Sequence, residues 1–293
     1  MLQFDGRVAV ITGAGRGLGR EYAKFLAARG ARVVVNDFGE LDGQKVADIV
    51  VEEITEDGGT AVANHDSVAS EHGGQAIVDT ALERFGRIDI LINNAGIVRD
   101  RAFHNLAPEQ IDEVLDVHLR GAFWVTQPAW KIMRANRYGR IVFTTSLSGL
   151  LGNFGQANYG AAKTGIVGLA RVLAAEGTNY GITSNVIAPL ANTDMANFLT
   201  AFDIGDFTAS DVAAVVTYLA HEDCALNGEI LSAVGGRVAR YFIGLTRGWH
   251  QPGLGPEDVA AHLDAICSTE GFAEPRTLVD EIDAVFRLKT PTT

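Results

Sequence analysis

From Arg7 to about residue 240, short apolar runs rich in β-branched residues alternate with longer segments whose apolar residues recur at helical spacing. A strand covered by helices on both faces has no solvent side, so its run is apolar throughout. Strands joined through helices must also run parallel. "RVAVIT" (7–12) and "ARVVVND" (31–37) read as strands, and between them Leu18, Tyr22, Phe25 and Leu26 form a helical stripe ending at Gly30. The beat continues through "KVADIVVEEI", "TAVANHD", "AIVDTALERF", "IDILINNAG", "RIVFTTS" (140–146), a helix from about Asn158 to Gly177, "ITSNVIAP", a helix capped near Thr208 or Ser210, and "GEILSAVGG". The expectation is an α/β fold with a doubly wound, seven-stranded parallel sheet. A long helical segment over 108–136 contains Pro128, which lacks a backbone donor and is expected to kink or divide it.

Near Arg240 the beat stops. Two short helices, about Pro256 to Cys267 and Thr277 to Phe286, complete the chain, and the second carries Val279, Ile282 and Phe286 on one face. The domain reading is therefore 1–240 for the α/β domain and 241–293 for a helical extension docked on it.

At 293 residues the chain can bury a large core, but no apolar run is long enough to span a bilayer. "MLQFDGRVAV" lacks the basic and apolar regions of a signal peptide, so a cytoplasmic protein is expected. The net charge of −12 opposes unspecific attraction to nucleic acid or to an anionic membrane. Cys224 and Cys267 form no metal-ligand spacing, and no metal site is expected.

The first strand runs into "TGAGRGLGREY", with Gly13, Gly17 and Gly19 in a G-x-x-x-G-x-G pattern. This is neither G-x-G-x-x-G nor a P-loop. Backbone N–H groups at a helix N-terminus, with few side chains to block approach, favour an anion such as a pyrophosphate. Asp37 ends the second strand 18 residues beyond Gly19, where a carboxylate can accept from an adenosine ribose and repel a 2′-phosphate. Arg16 within the turn argues the other way, and the balance favours NAD. Asp66, with Ser67 beside it, ends the third strand where an adenine amino group would lie.

Ser146 closes the "RIVFTTS" strand, Tyr159 follows 13 residues later, and Lys163 lies at i+4 from Tyr159 on the same helix face. A nearby ammonium favours the ionised phenol, which takes a proton from an alcohol, while the neutral phenol returns one to a carbonyl. Ser146 can hold the reacting oxygen.

With "TGAGRGLG", "NNAG" (93–96), Ser146, "YGAAK" and "ITSNVIAP" in order, residues 4–240 resemble the short-chain dehydrogenase/reductase family, whose fold is Rossmann-type. "AGIVRDRAF", "VHLRGAFWVTQPAW", "LGNFGQANYGAAK" and the tail's "LGPEDVAAHLDAIC" are similar to its branch of hydroxyacyl-CoA dehydrogenase domains from peroxisomal multifunctional β-oxidation enzymes. The resemblance implies that Gly13, Arg16, Gly17, Leu18, Gly19, Asp37, Asp66, Ser67, Asn93, Ala95, Gly96, Thr144, Tyr159, Lys163, Pro189 and Thr193 contact NAD. It assigns catalysis to Ser146, Tyr159, Lys163 and His118, with a homodimer or homotetramer as the assembly. His118 departs from the family's relay asparagine. Leu190 follows Pro189 where glycine is common, and only about a dozen residues separate Thr193 from the helix near Thr208, which implies a short substrate lid and an open pocket.

The expected activity is NAD(H)-dependent interconversion of a secondary alcohol and a ketone. A 3-hydroxyacyl-CoA is the lead substrate, with Arg99, Arg101 and Arg120 as candidate partners for its phosphates. A hydroxysteroid is the alternative, and a catalytically silent dinucleotide-sensing protein is the rival from another class. The ending "TPTT" resembles no peroxisomal address.

Overall fold

The structure is a computed structural model that describes residues 2–193, 205 and 207–289, with side chains described up to residue 283. It divides into two compact units, Met1–Arg240 and Tyr241–Thr293.

In the first unit, β1 (Val8–Thr12), α1 (Gly17–Ala27), β2 (Arg32–Asn36), α2 (Val46–Glu56) and β3 (Thr60–Asn64) form one half of the sheet. Helix α3 (Glu71–Phe85) leads to β4 (Ile90–Asn93), α4 (Pro108–Leu115), α5 (Gly121–Asn136) and β5 (Gly139–Thr144). The remainder is α6 (Ala157–Gly177), β6 (Ile182–Leu190), α7 (Ala209–Leu219), β7 (Ile230–Val234) and β8 (Arg237–Tyr241). The eight strands lie in the order β8-β7-β6-β5-β4-β1-β2-β3. The parallel registers include Val10 opposite both Val34 and Leu91.

Burial follows from this layering. Ala9, Ile11, Val33, Val35, Ile90 and Ile92 cluster with Leu26, Val50, Ile54, Val216 and Leu219 from α1, α2 and α7. The intervening Val10, Val34 and Leu91 are fully buried as well, beneath helices on the opposite face. This is why the strands read as continuous apolar runs. The chain leaves β1 toward β2, and β4 lies on β1's other side. The crevice at the carboxyl ends of β1 and β4 is therefore the topological switch point of the sheet.

The seven expected strands are present, and β8 adds an eighth at the edge. Gly235 and Gly236, with φ of 54° and 74°, join β7 to β8. Two consecutive left-handed residues make a tight reversing turn, so this edge is antiparallel.

Helix α5 runs through Pro128 without a break, so of the expected kink or division the division is not found there. The winding changes instead at Asp116–Arg120, a π turn between α4 and α5.

The second unit contains helices Pro256–Ala261, Leu263–Cys267 and Leu278–Lys289. Leu245 and Ala273 pair by two backbone hydrogen bonds of 2.9 and 2.8 Å, and the Trp249 and His262 rings stack at 3.7 Å. Val279 and Ile282 are exposed, while the side chain of Phe286 lies outside the described residues. Among the described residues no helix is long and apolar enough to cross a membrane.

Candidate active site

The glycine turn is held against the start of the loop after β4. Thr12 Oγ1 accepts from the backbone N–H groups of both Asn94 and Ala95, at 3.0 and 3.1 Å. Asn94 Nδ2 donates back to Thr12 O and Gly13 O, at 3.1 and 3.0 Å. No side chain larger than hydrogen fits this contact. A Cβ on Gly13 would lie 2.7 Å from Ala95 Cα, and one on Gly19 only 2.2 Å from Gly13 O. Gly17 differs, because its backbone is left-handed at φ 53° and exposed, with Thr193 Cγ2 3.7 Å from where a Cβ would stand. Leu18 packs on the core beneath the turn.

Arg16 is the N-cap residue of α1, and among the described residues no side chain caps the first-turn N–H groups. Those donors, at the positive end of an eleven-residue helix, are suited to an anion. Asp37 is oriented by two backbone donors: its Oδ2 accepts from Gly15 N at 3.0 Å and its Oδ1 from Gly39 N at 2.9 Å. A Cβ on Gly39 would sit 2.8 Å from Arg16 Nη2 and 3.1 Å from Asp37 Oδ1, so the two charged side chains share one corner. Asp66 accepts from Asn64 Nδ2 at 2.8 Å through its carboxylate and from Asn36 Nδ2 at 2.8 Å through its carbonyl. Ser67 Oγ accepts from Ala69 N.

Ser146 sits two residues past β5 as the N-cap of a short helix, Leu147–Leu151, its Oγ accepting from Ser148 N at 3.2 Å. Helix α6 carries Tyr159 and Lys163. It is tied to β5 where Thr145 Oγ1 donates to Lys163 O at 2.7 Å. Gly149 lets the short helix approach, since a Cβ there would meet Lys163 Cβ at 2.7 Å. The Ser146 hydroxyl lies close enough to the Tyr159 phenol to favour its ionised form. Lys163 Nζ lies 5.6 Å from the centroid of the Tyr159 ring and donates to Thr144 O at 2.7 Å.

Burial pushes the Tyr159 phenol above its ordinary value. Ser146 opposes this and nearby Asp100 adds to it. Burial also brings the Lys163 ammonium down to about 7, so near neutrality the amine is only partly charged. Ser146 thus eases the phenol's ionisation against the effect of burial.

His118 lies in the π turn and is 2% exposed. Its Nε2 stands 2.7 Å from Ile97 O and 3.0 Å from Ile97 N, bonding whichever its tautomer suits. Burial, and then Lys163, hold its pKa well below the usual histidine value, so the ring is neutral. Among the described residues its Nδ1 has no hydrogen-bond partner, and neither does the buried Thr144 Oγ1. Gly96 is packed so tightly on this ring that a Cβ would come within 2.4 Å of Cε1. Thr12, Asn93, Ala95, His118 and Lys163 line one small cavity of about 10 Å³.

Residues 7–203 match the model of the short chain dehydrogenase family. The chain belongs to the short-chain dehydrogenase/reductase family. It is 44% identical over 295 residues to the mouse peroxisomal multifunctional enzyme type 2, covering 97% of this chain and 40% of that one. It is 50% identical over 240 residues to a putative short-chain type dehydrogenase/reductase of Mycobacterium tuberculosis, covering 80% of this chain and 84% of the relative. The structure of the full-length peroxisomal multifunctional enzyme type 2 from Drosophila melanogaster superposes with a TM-score of 0.84 at 37% identity, over 98% of this chain and 50% of that one. The chain thus spans about half or less of these multifunctional enzymes.

As a short-chain dehydrogenase/reductase, the protein is an oxidoreductase acting on CH–OH donors, with a nicotinamide dinucleotide as cofactor and a small molecule as substrate. The residues present fit that cofactor: an uncapped α1 N-terminus for the pyrophosphate, the pre-oriented Asp37 carboxylate for the ribose, and the orphaned Thr144 hydroxyl at the crevice.

The structure brings together Gly13, Ala95 and Asn94, Gly17 and Thr193, Arg16 and Asp37, and Ser146, Tyr159, His118 and Lys163. Asn93 lines the cavity, but its amide donates to Thr126 Oγ1 at 3.0 Å, and it is Asn94 that holds the glycine turn. Sequence reasoning missed Thr12 and Asn94. The only available signal was the doubled asparagine of "NNAG" opposite a strand ending in threonine. Pro189 lies in β6, paired with Ala233. Of the proposed phosphate partners, Arg99 is paired with Glu113 at 2.7 Å and Arg120 with Asp116, while Arg101 is exposed. The expected short lid after Thr193 lies almost wholly outside the described residues.

Proposed function

We propose that the protein is an NAD(H)-dependent dehydrogenase that interconverts 3-hydroxyacyl and 3-oxoacyl thioesters, with the CoA esters as lead substrates. The observation that carries the chemistry is the grouping of Ser146 and Tyr159 beside the buried Lys163 amine, at the carboxyl end of β5. When bound, the nicotinamide ring supplies the hydride chemistry. Tyr159 is the general acid in reduction: burial keeps its phenol protonated at neutral pH, and Ser146 both holds the substrate oxygen and eases the proton's departure. Lys163 bonds the ribose and, when charged, favours the phenolate needed for oxidation. His118 acts as a positioning residue through Ile97 and the tyrosine ring.

Preference for NAD rests on Asp37. Its oxygens are turned by Gly15 and Gly39 toward the corner where a 2′-phosphate would have to sit. The thioester reading is supported by likeness to multifunctional enzymes named as peroxisomal, over nearly the whole chain. Exposed Phe123 and Val172 on α5 and α6 support a homodimer or homotetramer. Free Cys224 and Cys267 are consistent with the reducing cytoplasm.

Reduction of 3-oxoacyl-CoA by NADH, assayed against ketosteroids under the same conditions, tests the reading. Turnover of the steroids alone removes the thioester assignment. Tight NADH binding without turnover of any ketone favours the catalytically silent sensor.

A further inference from the structure

Adjacent strands β2 and β3 both end in asparagine. Asn36 and Asn64 stand opposite each other in the parallel register, at the ends of the otherwise apolar runs "RVVV" and "TAVA", and are 2% and 6% exposed. A buried amide is destabilising unless its donors and acceptors are met.

What both amides hold is Asp66. Asn64 Oδ1 accepts from Asp66 N at 3.0 Å while Asn64 Nδ2 donates to Asp66 Oδ2 at 2.8 Å, and Asn36 Nδ2 donates to Asp66 O at 2.8 Å. Asn64 is itself braced from two sides. Its Oδ1 also accepts from Asn36 Nδ2 at 2.8 Å, and its Nδ2 also donates to Thr80 Oγ1 on α3 at 2.9 Å. All four hydrogen-bonding positions of the Asn64 amide are thereby filled. Its two ends cannot be exchanged, because a backbone N–H must face the oxygen and a carboxylate the nitrogen.

The half-buried Asp66 is thus fixed through its N, O and Oδ2 atoms, and among the described residues no donor reaches its Oδ1. A charged acceptor held still in this way suits a ligand edge that carries an amine and repels one that carries a carbonyl. A loosely held carboxylate discriminates less, because it can re-aim toward another donor on the same ring. Adenine offers the amine; hypoxanthine has a carbonyl on the same ring carbon and a ring N–H beside it. We infer that Asn64, braced by Asn36 and Thr80, is a positioning residue that locks Asp66, so that the dinucleotide site takes the amine-bearing purine and rejects the carbonyl-bearing one. This rests on the placement of the adenine amine at Asp66.

The test is the ratio of dissociation constants for reduced nicotinamide hypoxanthine dinucleotide and for NADH, read from nicotinamide fluorescence without any turnover. The wild-type ratio is expected to be at least about tenfold, the usual worth of a hydrogen bond to a charged group. Asn64→Leu should lower it at least about threefold, chiefly by weakening NADH. Thr80→Val removes a single brace and should lower it in the same direction, which keeps the test in force if the leucine variant does not fold. In an Asp66→Ala background Asn64→Leu should not move the ratio further, since the asparagine acts only through the carboxylate. Equal weakening of both dinucleotides, with the ratio unchanged, reduces Asn64 to a support for the strand end and overturns the inference. So does a further fall in the ratio when Asp66 is already alanine. An Asp66→Ala protein that binds NADH with the wild-type ratio takes the adenine away from Asp66, and overturns the inference together with its premise while the dinucleotide reading stands. Failure of the wild-type protein to bind either dinucleotide overturns that reading as well.

Discussion

The imidazole of His118 meets the ring of Tyr159 edge-on, with centroids 5.1 Å apart and planes at 90°. The same imidazole anchors Ile97, so one neutral ring sets both the tyrosine and the loop after β4. His118→Ala removes both supports and leaves Ser146 and Tyr159 themselves unaltered. It should lower kcat by about 10- to 100-fold through misplacement, with the NADH dissociation constant little changed. His118→Asn, which keeps a bond to Ile97, should recover part of the loss. Stopped-flow turnover and fluorescence titration separate the two effects.

Tyr159→Phe deletes the proton carrier and leaves the ring contact with His118 in place. Turnover should fall by about 10²- to 10⁴-fold, the usual worth of a positioned acid or base. NADH binding, followed by fluorescence, should persist. Retained full activity would eliminate the phenol as the acid.

The two directions of reaction should respond oppositely to pH. Because burial raises the Tyr159 pKa, the phenol is protonated at neutral pH and ready to donate, so carbonyl reduction should be active there and decline on the alkaline side. Alcohol oxidation requires the phenolate and should increase with pH over the same range. Parallel profiles in both directions would contradict this.

Lys163 makes a second pH prediction, for stability. Its folded-state pKa of about 7 lies below the ordinary 10.5, so between these values the unfolded chain binds the extra proton. Stability from this group therefore rises with pH across that window, and below 7 its burial is a standing cost. Lys163→Met should raise the melting temperature of the cofactor-free protein at pH 6, by about 3–6 °C, and the gain should shrink toward pH 10. Scanning calorimetry at the two pH values tests the sign.

Asp37→Ser removes the carboxylate while keeping a short acceptor for Gly15 N. The ratio of kcat/KM with NADH to that with NADPH should drop by about 100-fold, as relief of a like-charge contact predicts. A ratio that does not move would assign cofactor choice elsewhere.

What could be read from the chain alone follows from locality. The strands were legible because burial on both faces makes each one a continuous apolar run, and the Tyr159–Lys163 pair because i and i+4 share a helix face. The edge strand β8 was overlooked although "VGGRV" holds a hairpin signal, since the stretch beyond it alternates charge and apolarity too briefly to stand out. The roles of Thr12 and Asn94 depend on partners 82 residues apart, which no local pattern encodes. The phenol's raised pKa was hidden for a similar reason, because desolvation is a property of everything packed around a group and not of its sequence neighbours.

The π turn at Asp116–Arg120 has a mechanical meaning. One surplus residue in the winding advances everything downstream by about 100° relative to an unbroken α-helix. A single continuous rod can then present α4 to α6 while α5 turns a different side toward α3. Deleting Asp116 would remove no group that lines the crevice, yet it would rotate the imidazole out of it, making this a lesion of angle alone.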